Sequence, residues 1–410
     1  MMNKPKIRFN GFKDDWDQRK LGDIADGFEY GLNAAATEFD GENKYIRITD
    51  IDDETRLFLQ ESVTSPDINL EAADNYILRE GDILFARTGA SVGKTYIYKG
   101  SDGLMYYAGF LIKAHVNKQN NANFVFQNTL TESYKKYIQV TSQRSGQPGV
   151  NAKEYQEFTF CVPNKLEQDK ISSYLMNLDN LITLHQRKCD ETKKLKKYML
   201  QNMFPEDGKK TPNIRFDGFT DDWEQRKLGD MARFSKGNGY SKSDLRDQGT
   251  PIILYGRLYT QYEFAITVVD TFVSEKPGSV ISNGGEVIIP ASGETAEDIA
   301  RAATVENKGI ILGGDLNIVH PGEELISQFL SLVISNGTVQ KELASKAQGK
   351  SVVHIHNSDI EKVTVNFPNL AEQKKIVQTF KELDNLITLH QRKCDQLKKI
   401  KKFMLENMFV

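Results

Sequence analysis

Gly89, Gly93 and Lys94, in the run GASVGKT, come nearest of any residues in this chain to a phosphate-cradling loop. Such a loop turns successive backbone N–H groups and a lysine onto phosphate oxygens, and it needs four residues between its glycines. Here three intervene, so nucleotide binding is not expected. His354 and His356 alternate along a candidate strand and would share one face, a start on a metal site, but no cysteine or convincing third ligand stands beside them. The chain has no Asn-Pro dipeptide, which removes the Asn-Pro-Pro-aromatic motif of adenine-amino methyltransferases, and no G-x-G-x-x-G follows a strand. No Ser, His and Asp set stands out either. The sequence offers no catalytic residue, no metal site and no cofactor site, and is read as a non-enzyme.

Composition points the same way. With 39% hydrophobic and 27% charged residues this is globular protein, and no apolar run approaches the roughly 20 residues needed to cross a bilayer. The first residues lack the apolar core of a secretory signal, and Cys161, Cys189 and Cys394 make no disulfide framework. A cytoplasmic protein with reduced thiols is expected. A net charge of −3 argues against gripping nucleic acid by bulk positive charge, although 53 lysines and arginines leave room for local patches. The runs Arg187, Lys188, Lys193, Lys194, Lys196, Lys197 and Arg392, Lys393, Lys398, Lys399, Lys401, Lys402 read first as solvated helix faces.

The elements that position any site are set by a duplication. DNLITLHQRKCD occupies residues 179–190 and again 384–395, and Ile7–Asp23 (IRFNGFKDDWDQRKLGD) returns as Ile214–Asp230 (IRFDGFTDDWEQRKLGD). Glu167–Phe204 and Glu372–Phe409 contain neither Gly nor Pro and are rich in Leu, Lys, Glu, Gln and Met, which predicts two helices. Ile171, Tyr174, Leu178, Leu181, His185, Lys188, Thr192, Leu195 and Met199 recur at steps of three and four, and Ile376, Leu383, Leu386, His390, Leu397, Ile400 and Met404 follow in the same phase. That pattern predicts a coiled coil with His185 and His390 as polar seam residues that fix register. Thirty-eight residues make a rod of roughly 57 Å, or about 17 base pairs of duplex at most. The stretch PEDGKKTPN, residues 205–213, is a turn that lets the chain double back.

Between the repeated blocks, residues 24–166 and 231–371 diverge. Strands are expected at 45–51, 81–88, 94–99, 251–259, 285–292 and 309–319, and helices around 121–142 and 322–347, an α+β pattern in both inserts. EGDILFARTGASVGK (80–94) parallels GGEVIIPASGETAED (284–298) weakly, strand then Gly-bearing loop, so one fold with two exposed chemistries is expected.

Two halves each built as WxQRKLGD (Trp16–Asp23, Trp223–Asp230), a variable region carrying GDILFARTG (Gly81–Gly89), and P-x-x-x-EQ-x-K-I helix starts (Pro163–Ile171, Pro368–Ile376) together resemble the specificity subunit of type I restriction-modification systems, over essentially the whole chain. The resemblance implies an α+β fold of two target recognition domains separated by a long antiparallel two-helix coiled coil with an internal pseudo-two-fold repeat. The corresponding division is 1–163 and 214–368 for the domains, 164–205 and 369–410 for the spacer helices, and 206–213 for the linker. It implies a DNA-binding subunit that reads a bipartite site, one half per domain, and directs adenine methylation or restriction by two methyltransferase (modification) and two restriction (translocase/nuclease) subunits. S-adenosylmethionine, ATP and Mg belong on those partners and not on this chain, and no membrane is involved. The alternative is a coiled-coil scaffold whose variable domains bind protein or glycan ligands.

By that resemblance the DNA-contacting candidates of the first domain are Arg47, Arg87, Thr88, Lys94, Gln143, Arg144 and Gln147. Those of the second are Lys236, Asn238, Tyr240, Tyr255, Arg257, Ser292, Lys346, Gln348 and Lys350. Arginine reads guanine, Asn or Gln reads adenine, and Lys and Ser fix phosphates. The second domain departs from the pattern: ASGETAED replaces the Arg-Thr-Gly loop with acidic residues, and Arg301 is a candidate to compensate. Leu178, Leu181, His185, Leu195, Leu383, Leu386, His390 and Leu397 are assigned to the spacer or partner interface.

Overall fold

The computed structural model describes residues 4–143, 146–349 and 352–410. The chain forms two compact units, Met1–Lys188 with His390–Val410, and Cys189–Leu389. The helices Lys165–Asn202 (α1) and Leu370–Asn407 (α2) each give one part to each unit.

In the first unit the strands that matter for the site are Asp17–Lys20 (β1), Ala25–Tyr30 (β2), Asp82–Ala86 (β3), Thr95–Ile97 (β4), Leu111–Val116 (β5) and Thr159–Val162 (β6). The central sheet runs β2-β5-β3-β4 with every neighbour antiparallel, and β1 pairs with β6 beside it. Strand β3 is buried throughout. Successive strand side chains point to opposite faces, so Ile83 and Phe85 enter one apolar cluster and Leu84 and Ala86 another, and β3 lies between two cores.

The second unit repeats this plan with Glu224–Lys227 (β7), Ala232–Lys236 (β8), Ala265–Ile266 (β9), Glu286–Pro290 (β10), Ala303–Val305 (β11), Leu316–Pro321 (β12) and Thr364–Phe367 (β13). Its sheet is β8-β12-β10-β11-β9, and β7 pairs with β13 as β1 does with β6. Here β10 is the doubly covered strand, with Val287 and Ile289 in one core and Ile288 in the other.

Several predicted strands are shorter than their apolar patterns. Residues 45–51 stay extended only to Ile46, because the Asp50 carboxylate accepts from the Arg47 backbone N–H at 2.9 Å and closes a 3₁₀ turn. The 251–259 segment becomes the strand Thr250–Ile253 followed by the helical turn Arg257–Thr260. The helical stretches resolve into Ala122–Asn128 with Glu132–Thr141, and Ser327–Ile334 with Gly337–Lys346.

Both long helices start the same way. Asn164 and Asn369 accept from the backbone N–H groups of Glu167 and Glu372 at 3.1 and 3.0 Å, the N-cap geometry that satisfies otherwise orphaned donors. Glu167 and Glu372 then take a two-pronged ion pair from Arg8 and Arg215, at 2.7 and 2.8 Å in the first unit and 2.8 Å twice in the second. Gln168 and Gln373 donate to the carbonyls of Pro163 and Pro368. The repeated Pro and Glu-Gln residues are thus fold chemistry: they lock the helix start to the segment that begins each half.

The seam of the long helices differs from the predicted one. Within the first unit Ile171, Leu175, Leu178 and Ile182 are buried, and His185 follows, at steps of four then three. The predicted phase shares Ile171, Leu178 and His185 but took Tyr174 and Leu181 in place of Leu175 and Ile182, and Leu181 is 43% exposed. Both choices are apolar at heptad spacing, and only the partner decides between them. Leu383 is buried and Leu397 half-buried, whereas Leu386 and Leu195 stand outside at 44% and 49% exposure. The two seam histidines meet within the first unit, Nδ1 to Nδ1 at 3.0 Å, so one ring must donate and the other accept. Burial, and then the facing His390, holds His185 below the usual imidazole range. Leu175→Ala should therefore cost about 2–5 kcal/mol and Leu181→Ala less than about 0.5 kcal/mol in urea unfolding of the full chain. Equal costs for the two would restore the predicted seam.

Candidate functional site

Sheet register makes the two units comparable residue by residue. Tyr30 and Phe85 both face Ile112 on β5, and Lys236 and Ile289 both face Asn317 on β12. One step beyond the sheet, the Arg87 N–H donates to the Phe110 carbonyl at 3.1 Å, and the Ala291 N–H to the Asp315 carbonyl at 2.8 Å. The Arg87 carbonyl accepts from Val150, and that of Ala291 from Ile355. Thr88 bridges to Gly149 as Ser292 does to His354. Tyr30, Arg87, Thr88 and Phe110 in one unit therefore occupy the positions of Lys236, Ala291, Ser292 and Asp315 in the other.

A glycine follows the outer strand in both cases, for the same reason. A Cβ on Gly31 would lie 2.2 Å from the Ala108 carbonyl oxygen, and one on Gly237 would lie 1.9 Å from that of Gly313. The loop after each outer strand crosses its neighbour at backbone contact distance, which only glycine permits. Each outer strand thus ends against the segment that leads into the strand between it and the doubly covered strand.

In the first unit the result is an exposed cluster. The Arg87 guanidinium lies 4.9 Å from the centre of the Tyr30 ring, and its one polar contact among the described residues is a long 3.4 Å bond from Nη1 to the Gly109 carbonyl. Among the described residues no carboxylate pairs with it. Tyr30 is 45% exposed, and its hydroxyl accepts from the Ala152 N–H at 3.3 Å. Phe110, at 64%, is more exposed than any other aromatic among the described residues. The loop that brings Gln147 in is tied down by the Gly89 N–H, which donates to Pro148 at 3.0 Å, and the Gln147 amide nitrogen lies against Gly89.

Other candidate residues of this unit sit elsewhere. Arg47 forms a two-pronged pair with Asp50 at 2.8 Å on both arms. Lys94 is 7% exposed; its ammonium pairs with Asp53 and donates to the Ile51 carbonyl at 3.0 Å, so it holds the 48–53 turn together from inside. Gln143 is exposed, and Arg144 lies outside the described residues.

In the second unit, Lys236 ends β8 exposed, with no ion-pair partner among the described residues. Asn238 donates to the Gly278 carbonyl at 3.0 Å. Tyr240 has the left-handed backbone, φ 63°, and carries Lys276 over its ring at 4.8 Å. Ser292 is buried and donates to Asp315 at 3.3 Å. Tyr255 is 39% exposed against Tyr259. The side chain of Arg257 is 9% exposed and serves the fold: it bonds Glu263, Asp270 and the Val268 carbonyl. Arg301 pairs with Asp298 at 2.7 Å and lies over Tyr262, which leaves it tied to the acidic turn for which it was expected to compensate. Lys346 pairs with Glu342, Gln348 pairs through its backbone with His354, and Lys350 lies outside the described residues.

Sequence reasoning missed Tyr30, Phe110 and Asp315. Nothing in their local sequence marks them, and they join the site only through sheet register. The described residues hold no group of three or more His, Cys, Asp or Glu that could bind a metal ion, and no helix among them is long and apolar enough to cross a membrane.

A family model described as type I restriction modification DNA specificity domain matches residues 13–194 and 220–399. The type I restriction enzyme MjaVIII specificity subunit of Methanocaldococcus jannaschii is 21% identical over 400 residues, covering 95% of this chain and 91% of the relative. The putative type I restriction enzyme MjaX specificity subunit of the same organism is 22% identical over 418 residues, 98% of this chain and 94% of the relative. Among solved structures, the type I restriction-modification system S subunit from M. genitalium superposes with a TM-score of 0.65 over 99% of both chains at 13% identity, a likeness of fold.

Proposed function

Because the chain belongs to the type I restriction-modification specificity family, in which it is a specificity subunit with two DNA specificity domains, we propose that each domain reads one half of a bipartite duplex site through the sheet-end cluster described above. The observation that carries this reading is the pairing of one backbone geometry with two chemistries. Tyr30, Arg87 and Phe110 are replaced at equivalent positions by Lys236, Ala291 and Asp315, while the surrounding hydrogen bonds persist. Side chains that built the fold would be held constant with it; side chains that read different bases would change.

The chain itself does no chemistry in this reading. It directs adenine methylation by modification subunits, and cleavage by restriction subunits, with S-adenosylmethionine, ATP and Mg bound on those partners and the assembly acting in the cytoplasm. Two copies of each partner are proposed, and the helix surfaces suit a pair of modification subunits. Leu181, Leu184, Ile400 and Phe403 of the first unit are between 41% and 51% exposed, and their repeat counterparts Leu386, Leu389, Leu195 and Tyr198 of the second are between 44% and 54% exposed. One apolar quartet per unit suits two identical partners, and apolar surface of this kind marks a binding site. A net charge of −3 fits a subunit that shares phosphate contact with its partners.

Co-expression with the cognate modification subunits, followed by sequencing of methylated adenine in host DNA, tests the reading. The expected product is a motif of two specified parts with a fixed unspecified spacer. A continuous motif, or no new methylation, would count against it.

A further inference from the structure

We propose that Tyr30, Arg87 and Phe110 act as one base-reading unit, in which Arg87 recognises a G·C pair and Phe110 the methyl group of a flanking T·A pair in the half-site of the first domain. The inference rests on the DNA reading above and names the bases that this cluster takes.

Arg47, Arg257 and Arg301 pair with carboxylates, whereas among the described residues Arg87 makes one 3.4 Å bond to a carbonyl. Its plane is nevertheless held by the Tyr30 ring at 4.9 Å, a contact that fixes orientation through the π face without consuming an N–H. A fork that is oriented and unspent matches the paired acceptors O6 and N7 of guanine in the major groove, the commonest specific contact arginine makes.

Phe110 supplies the second element. Its carbonyl is bonded to the Arg87 N–H at 3.1 Å, which fixes the two side chains at adjoining points of the sheet end. The Phe110 ring is 64% exposed and makes no ring or cation contact among the described residues, and the apolar feature of the major groove is the thymine C5-methyl group. The second domain shows that neither residue is needed to build this sheet end: Ala291 and Asp315 make the same backbone bond at 2.8 Å. Tyr30 is a positioning residue, braced through the Ala152 N–H.

The test uses the chain in complex with its modification subunits and reads methylated-adenine motifs from a random-sequence DNA pool. The wild-type half-site assigned to the first domain should contain a guanine next to a thymine on one strand. Arg87→Ala should raise methylation of sites altered at the guanine by about tenfold or more relative to the wild-type complex, with the second half-site unchanged. Phe110→Ala should relax the thymine position alone. Tyr30→Leu should relax the guanine position less than Arg87→Ala does, and Tyr30→Phe, which keeps the ring, should leave it intact. Should Arg87→Ala fail to fold, Arg87→Lys keeps the charge without the fork and must still lose the guanine preference. A half-site without guanine, an unchanged motif in Arg87→Ala, or a uniform fall in methylation across all sequences, as a phosphate contact would give, overturns the inference. A wild-type complex with no bipartite motif would instead defeat the DNA reading on which it rests.

Discussion

Arg8→Ala is expected to destabilise the first unit by about 3–5 kcal/mol, the cost of removing one partner from a buried ion pair. The Glu167 side chain is fully buried and Arg8 is 13% exposed, so the alanine variant leaves a carboxylate out of water with no fork to receive it. Arg215→Ala should do the same to the second unit, where Glu372 is 1% exposed. The effect comes from the stranded charge more than from the bond lost. Replacing both partners, as in Arg8→Met with Glu167→Leu, should accordingly recover most of the stability. Urea unfolding of the full chain, with hydrogen exchange to assign the loss to one unit, measures this. A loss below about 1 kcal/mol for Arg8→Ala would show that water reaches Glu167 and that the pair is an ordinary surface contact.

This pair also marks how far the sequence could be read. Repeats at nearly the same offset made the two-unit plan legible, and the absence of Gly and Pro gave both long helices to within a few residues. The Arg8 to Glu167 partnership was not legible, because 159 residues separate the two and only folding brings them together. The seam failed for a different reason. Leu175 and Ile182 are as apolar as Tyr174 and Leu181, so periodicity admits both phases and packing selects one. At the site, the ARTG run flagged Arg87 by its position after a strand, but Lys94, five residues beyond that run, is buried among carbonyls, and charge in a loop sequence does not reveal which way a side chain turns. Phe110 and Asp315 could be found only by register, since a single exposed aromatic or carboxylate carries no pattern.

Replacing residues 24–160 by the corresponding segment of a relative should exchange the first half-site entirely and leave the second untouched. Each insert meets its frame through equivalent contacts. Phe124 packs against Trp16 and Phe409, with ring centres 5.9 and 5.4 Å away, and Phe329 repeats this with Trp223 and Phe204 at 5.7 and 6.1 Å. Gln168 accepts from the Asn121 N–H at 2.8 Å, and Gln373 from that of Ile326 at 2.9 Å. Two inserts of dissimilar sequence thus dock through one phenylalanine and one backbone N–H onto constant residues, while their sheet ends present different side chains. Any insert that keeps those two contacts should seat in the same frame. One without the phenylalanine should lose about 3–5 kcal/mol and seat poorly, whatever bases it would read. Motif sequencing of the hybrid complex decides the point: changes confined to one half establish independent readers, whereas changes in both halves would mean that the frame transmits the identity of one insert to the other.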